Sequence, residues 1–329
     1  MASGAITESA SVFAVPSDAR KLKFSDTVEI DQRYHRLYMG DTWSGGVDVF
    51  DISSPTPSYI ETIRSKPMRG PYYGVCVADD LRKLFVAHGT GMISVIDLDA
   101  DPSSKNRVIA TADNGGHVQA DLIDYDPVHR KVYYANRNEG FITAFDAVKH
   151  VITARIEGLG RALEQPRFNP VDEKVYQVSN SDDVIHQIDP SSDRLLNTFA
   201  IGDNCNANGL AINPNTNQAL LGSDNDDDPH TLLWDLATQR PLARYTECGC
   251  GDGVTYDAVV DRFFFAASGF PHGPVIGVFG GDPVTFRTNI PTTPAAGWVA
   301  FDRTHRRLYT PAIEDDKPAL LSVALPADA

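Results

Sequence analysis

Seven times along this chain a strand-like run ends at a marker position and a second apolar run begins six residues later. The pairs are Asp31/Leu37, Ala78/Leu84, Asp126/Val132, Asn169/Val175, Asn213/Ala219, Asp257/Phe263 and Asp302/Leu308, with no gap in any of them. The intervening segments, such as DQRYHR, DPVHRK, NPNTNQ and DRTHRR, have the Asp, Asn and Pro content of hairpin turns. The second runs read RLYMGD, KLFVAH, KVYYAN, KVYQVS, QALLGS, RFFFAA and RLYTPA. A third run ending in Asp follows in most units (GVDVFD, MISVID, FITAFD, VIHQID, TLLWD), then a weaker fourth such as VITARIEG. Helical periodicity over any length is absent.

Four short antiparallel strands per 43–48 residues, seven times over, predict an all-β chain: a seven-bladed β-propeller. The competing architectures, a β-helix or a two-domain sandwich, fit poorly with one offset kept through seven units. The last unit stops after its third strand, ALLSVAL, and SVFAVP (Ser11–Pro16) precedes the first unit. This segment is expected to supply the outer strand of the last blade, closing the ring and removing its exposed edges. Residues 1–10 are expected to be a flexible tail and residues 11–329 a single propeller domain.

The unit YYGVCVADDLRKLFVAHGTGMISVIDLD resembles the repeats of YVTN-type propellers, and the resemblance extends over nearly the whole chain. It implies the fold and little about function. Two shorter segments, NGLAINPN and DGVTYD, resemble strand openings of the gluconolactonase/SMP-30 propellers, which are lactone hydrolases with a central divalent cation. Those relatives have six blades, so the likeness cannot run full length.

With 29 Lys+Arg and 44 Asp+Glu the formal charge is 29 − 44 = −15, which argues against a nucleic-acid or anionic-membrane surface. No run approaches the roughly 18–20 apolar residues needed to span a bilayer. Met1–Lys23 has no basic segment followed by an apolar one, so no secretory signal is read and a cytoplasmic location is the default. Four cysteines are not a disulfide scaffold. Cys76 reads as a strand residue. Cys205, Cys248 and Cys250 read first as free loop thiols, then as a disulfide from Cys205 to Cys248 or Cys250, and last as soft-metal ligands.

In a propeller the loops leading into each inner strand and those joining the second and third strands open on one face. Five residues before each marker stand Asp26, Tyr73, Asp121, Glu164, Asn208, Asp252 and Gly297. Ring closure aims these at one axis. Clustered carboxylates repel unless wet, protonated or neutralised, and a hard divalent cation such as Ca²⁺ suits oxygen donors. Asp26, Asp121, Glu164, Asn208 and Asp252 are therefore candidate metal ligands, against the plain alternative of a solvated polar channel. The gluconolactonase resemblance implies metal binding at Asn208 and Asp252 and places Asp26 where that family has a Glu. No organic cofactor is expected.

The second-to-third-strand loops add Asp41, Trp43, His88, Asn136, Arg137, Asn180 and His272 to the same face. The loops before the inner strands add Arg69, Tyr72, His117, Arg161, Gln165 and Trp298. His88 and His117, in neighbouring blades, are candidate general bases, with Asp252 as a third catalytic candidate. Trp43, Tyr73 and Trp298 are candidates for walling a pocket, and Arg69, Arg137, Arg161 and Arg167 for holding an anionic substrate. The acidic run DNDDDPH (Asp224–His230) lacks the spaced ligands of an EF-hand and reads as a solvated insertion. Phosphate-binding Gly loops, G-x-S-x-G and H-E-x-x-H are absent.

Two functional classes follow. The first is a small-molecule enzyme at the channel mouth: a metal-assisted lactone or ester hydrolase, or a metal-free lyase, cycloisomerase or cyclase on a cyclic or anionic metabolite. The second is a non-catalytic propeller that binds a protein partner on its loop face. The non-bland channel favours the enzyme at this stage.

Overall fold

The computed structural model describes residues 10–16, 26–42, 45–64, 71–101, 104 and 107–329. They form seven four-stranded antiparallel sheets arranged as the blades of a propeller. The inner strands are Val28–Asp31, Tyr72–Ala78, Ala120–Asp126, Leu163–Asn169, Ala207–Asn213, Val254–Asp257 and Ala300–Asp302, and these number the blades 1 to 7. The only helical element among the described residues is a 3₁₀ turn, Asp79–Leu81.

The repeating marker is a turn device. Asp31 Oδ1 accepts hydrogen bonds from the backbone N–H groups of Arg33 and Tyr34, and Asp126 Oδ1 from those of Val128 and His129. Asn169, Asn213, Asp257 and Asp302 each cap the same turn through Val171, Asn215, Val259 and Thr304. These carboxylates and amides substitute for backbone partners in a tight reversal. Blade 2 has Ala78 at this place, and there the 3₁₀ turn replaces the side-chain cap. The turn also needs one left-handed residue, four positions after the marker: His35, Arg82, Arg130, Glu173, Asn217, Asp261 and Arg306 all have φ between 50° and 57°.

The ring closes as expected. Ala10–Ala14 pairs antiparallel with Lys317–Ala324, completing the sheet that contains Ala300–Asp302 and Arg307–Glu314. Residues 1–9 of the expected tail lie outside the described residues. Between blades, large side chains from the inner, second and third strands interlock. Tyr176, Leu221 and Trp234 join blades 4 and 5, and Phe264, Phe301 and Leu321 join blades 6 and 7. Each such fully buried side chain stabilises the ring by about 1.5–3 kcal/mol. No helix of the described residues is long and apolar enough to cross a membrane.

Candidate functional site

Inner strands in blades 2 to 5 carry a register shift just before the channel: between Tyr72 and Val75, Ala120 and Ile123, Leu163 and Pro166, and Ala207 and Gly209. In blade 3 three steps on the inner strand face two on its partner, from Ala120↔Asn136 to Ile123↔Tyr134. A bulge of this kind re-aims side chains. In these blades two consecutive positions, five and four residues before the marker, therefore turn toward the axis instead of alternating.

The upper of these two positions is the ring read from the sequence. Asp26, Asp121 and Glu164 are buried, and Asp252 and Tyr73 keep an edge in solvent. Among them lies the guanidinium of Arg137, from the second-to-third-strand loop of blade 3. Its Nη2 is 2.7 Å from Glu164 Oε1, and its Nη1 is 3.8 Å from Asp121 Oδ2. The pair with Glu164 is close but poorly aligned for a hydrogen bond, and Glu164 Oε2 has no partner among the described residues, although Glu164 is only 1% exposed.

These carboxyls resist ionisation. Burial, with Asp121 and Asp252 nearby, pushes Asp26 well above the usual carboxylate range, against the pull of Arg137. Burial raises Asp121 to about 6 and Asp252 to about 7, again opposed by Arg137. Glu164 is driven up by burial, with Arg137 opposing and the other three carboxylates adding to the rise. Burial alone would lower Arg137, but the surrounding Glu164, Asp121, Asp252 and Asp26 raise it. Tyr73 is raised by burial and by Asp121 and Asp26.

On the far side of the ring, Asn208 is satisfied. Its Oδ1 accepts from Asn180 Nδ2 at 2.7 Å, and its side chain bonds Asp224. At the seventh position Gly297 leaves Asp252 uncovered: a Cβ there would lie 3.4 Å from Asp252 Oδ2. Among the described residues no three His, Cys, Asp or Glu side chains converge as a metal cage requires. Of the expected metal ligands, Glu164 and Asp121 lie beside the Arg137 guanidinium, and Asn208 bonds Asn180 and Asp224.

The lower position of each pair holds Thr27, Gly74, Leu122, Gln165, Gly209, Gly253 and Trp298. Its long side chains fill the axis. Leu122 and Trp298, each under 5% exposed, meet in one apolar cluster with Val28. A Cβ on Gly253 would collide with the Trp298 indole, so the glycine makes its room. Gln165 reaches from blade 4 across to blades 5 and 6: its Oε1 accepts from Leu210 N at 3.0 Å and Val254 N at 3.1 Å, and its Nε2 donates to Val254 O at 2.7 Å. Thr27 bridges blades 1 and 2 in the same way, through Tyr73 O and Val75 N. These polar groups satisfy backbone that the bulges release. This tier forms a plug between the two ends of the channel.

Other candidates are dispersed. His88 is 1% exposed, its Nε2 is 3.0 Å from Ser94 Oγ, and its ring centroid lies 4.0 Å from that of Tyr72. Burial lowers it to about 3, which keeps it neutral. His117 sits on an exposed loop and touches Glu139 through its backbone N–H. Arg161 is exposed, and its carbonyl accepts from Ser179 and Ser181. His272 is exposed beside Phe270. Asp41 is buried. Asn136 is buried in a knot with Asn114 and Thr143. Arg167 lies below the plug, 5.7 Å from the Trp298 ring. Trp43 and Arg69 lie outside the described residues.

All four cysteines are free and buried. Cys205 and Cys248 belong to different clusters, and Cys250 donates to Asp226 Oδ1 at 3.0 Å. The acidic insertion is tied down by Arg244, which pairs with Asp228 at 2.5 Å and Asp203 at 2.7 Å.

No family model matches the chain, and no curated protein matches it in sequence. Solved structures do share its architecture. A structure of U3-55K superimposes with a TM-score of 0.75 at 11% identity, covering 98% of this chain and all (100%) of that one. A chain from the crystal structure of a mitotic checkpoint complex gives a TM-score of 0.75 at 15% identity, covering 99% of this chain and 97% of that one. At such identities the likeness shows the fold, and the chain is a seven-bladed β-propeller.

Proposed function

We propose that this propeller is a non-catalytic binding module whose acidic channel mouth receives a positively charged side chain, lysine or arginine, from a protein partner. The observation that carries the reading is the imbalance at the mouth. Asp26, Asp121, Glu164 and Asp252 come from blades 1, 3, 4 and 6 and act on one guanidinium among the described residues, that of Arg137, while Glu164 Oε2 is buried without a partner among those residues. A second cation would let these carboxyls ionise in company, and a charge-assisted hydrogen bond in such a site is worth about 1.5–3 kcal/mol. The chain's net charge of −15 favours encounter with a basic partner. The enzyme reading has less support: His88 is packed away and neutral, and His117 is exposed on another loop.

The test titrates the full chain with fluorescein-labelled oligolysine and oligoarginine peptides, and with oligoglutamate as control. Saturable binding of a basic peptide that weakens with salt is expected. It should fall by about tenfold in Glu164→Gln and Asp252→Asn, and be unchanged in Glu173→Gln on the opposite face. Absence of binding, or equal binding by all variants, overturns the proposal. Turnover of a lactone panel with added Ca²⁺, abolished by Asp252→Asn, would establish the hydrolase instead, and metal-independent turnover a lyase or isomerase.

A further inference from the structure

Two residues before each turn marker, the same register yields another ring: Glu29, Cys76, Asp124, Arg167, Ala211, Thr255 and Ala300. All but Ala211 line a cavity of about 460 Å³ beneath the plug, with Trp298 in its wall and its opening on the face of the inner hairpin turns. The volume suits a small organic ligand.

The polar groups in this cavity are unevenly committed. Asp124 Oδ2 accepts from Phe168 N at 2.7 Å, and its Oδ1 faces Arg167 Nη1 at 3.4 Å. Arg167 spends that same Nη1 on Pro166 O at 3.1 Å, so its Nε and Nη2 edge makes no hydrogen bond to a described residue. Arg303 is held by Asp257 at 2.6 Å. The Glu29 carboxyl makes no hydrogen bond to a described residue, and Thr255 Oγ1 is buried without a partner. Val75, Ile123 and Phe301 give the remaining wall an apolar character.

We propose that this cavity binds a small aromatic carboxylic acid. Its carboxylate pairs with the free edge of Arg167, its ring lies along Trp298 and Ile123, and a hydrogen-bond donor at its far end meets Glu29. Two adjacent guanidinium N–H groups match the two oxygens of a carboxylate. An ammonium group in the same place would set its charge against Arg167. Burial, despite Arg167, raises Glu29 to about 7, so it can take up a proton when an anion binds nearby. This site shares no residue with the acidic mouth and does not depend on the function proposed for it.

The experiment follows the ¹⁹F resonance of 4-fluorobenzoate with the full chain, with 4-fluorobenzylamine as the opposite-charge probe and unlabelled 4-hydroxybenzoate as competitor. Broadening of the acid and not the amine is expected, reversed by 4-hydroxybenzoate. Arg167→Gln should weaken binding by about tenfold or more. Glu29→Ala should leave 4-fluorobenzoate bound but remove the advantage of 4-hydroxybenzoate over benzoate. Asp252→Asn should change nothing here. Equal or stronger broadening of the amine overturns the proposal, as does the failure of both probes to bind. Undiminished binding by a folded Arg167→Gln also overturns it. Should Arg167→Gln not fold, the acid-against-amine comparison on the unaltered chain decides.

Discussion

Replacing Asp252 by Asn should stabilise this protein, and increasingly so as pH rises. In the folded chain the Asp252 carboxyl is held at about 7, against an ordinary 3.8, chiefly by burial. Between about pH 4 and about pH 7 the folded state therefore binds more protons than the unfolded state, and stability falls as pH climbs through that window. At 1.36 kcal/mol per pH unit, the full displacement corresponds to about 4 kcal/mol once the pH is above both values. That figure is an upper bound. Asp252 keeps an edge in solvent, where water screens the charge, and Asn gives up the attraction to Arg137. A gain of about 1–2 kcal/mol near pH 8, shrinking to nothing near pH 4, is the reasoned expectation. Urea denaturation of both proteins at intervals from about pH 4 to about pH 8 measures it. A gap that stays flat with pH, or a variant less stable at the alkaline end, would refute the electrostatic account of the mouth. A stabilised variant that has also lost its basic ligand would mark Asp252 as a residue kept for binding at the expense of the fold.

Gln165→Leu should lower unfolding free energy by about 3 kcal/mol, because Leu210 N, Val254 N and Val254 O lose their partner in a site without solvent; chemical denaturation reads this, and a neutral result would mean the plug is not polar-locked. Removing residues 1–15 deletes the strand paired with Lys317–Ala324 and exposes that strand's edge, so a lower melting temperature and concentration-dependent self-association in size-exclusion chromatography are expected.

The architecture was legible because its signal is local and repeated. Asp31, Asp126, Asn169, Asn213, Asp257 and Asp302 recur because each caps a turn with its own side chain, which is visible in six residues of sequence. The acidic ring followed from the constant offset to those markers. Spacing assigns Arg137 to the loop face, but its position beside the carboxylates depends on a loop reaching from blade 3 toward blade 4, which no spacing encodes. His88 shows the converse. It ends a second strand at the loop face, and its buried ring packs onto Tyr72, which spacing alone does not encode.

The lower ring is hidden in the sequence for a different reason. Strict alternation from Asp121 or Glu164 would point the positions two before the marker away from the axis, since three residues separate them. The bulges in blades 2 to 5 insert the extra step that brings both levels inward. Between them Leu122, Gln165 and Trp298 occupy the space that a through-channel would need, and Gly253 is small so that Trp298 fits. Among the described residues the two levels therefore differ in chemistry: carboxylates around the Arg137 guanidinium above, and a mixed acid, arginine and indole cavity below. Each side chain at one level is separated from the other by the plug, so substitutions such as Asp252→Asn and Arg167→Gln should combine additively in stability. Non-additivity would show that Trp298, which lies under Gly297 and over Arg167, transmits strain from one side to the other.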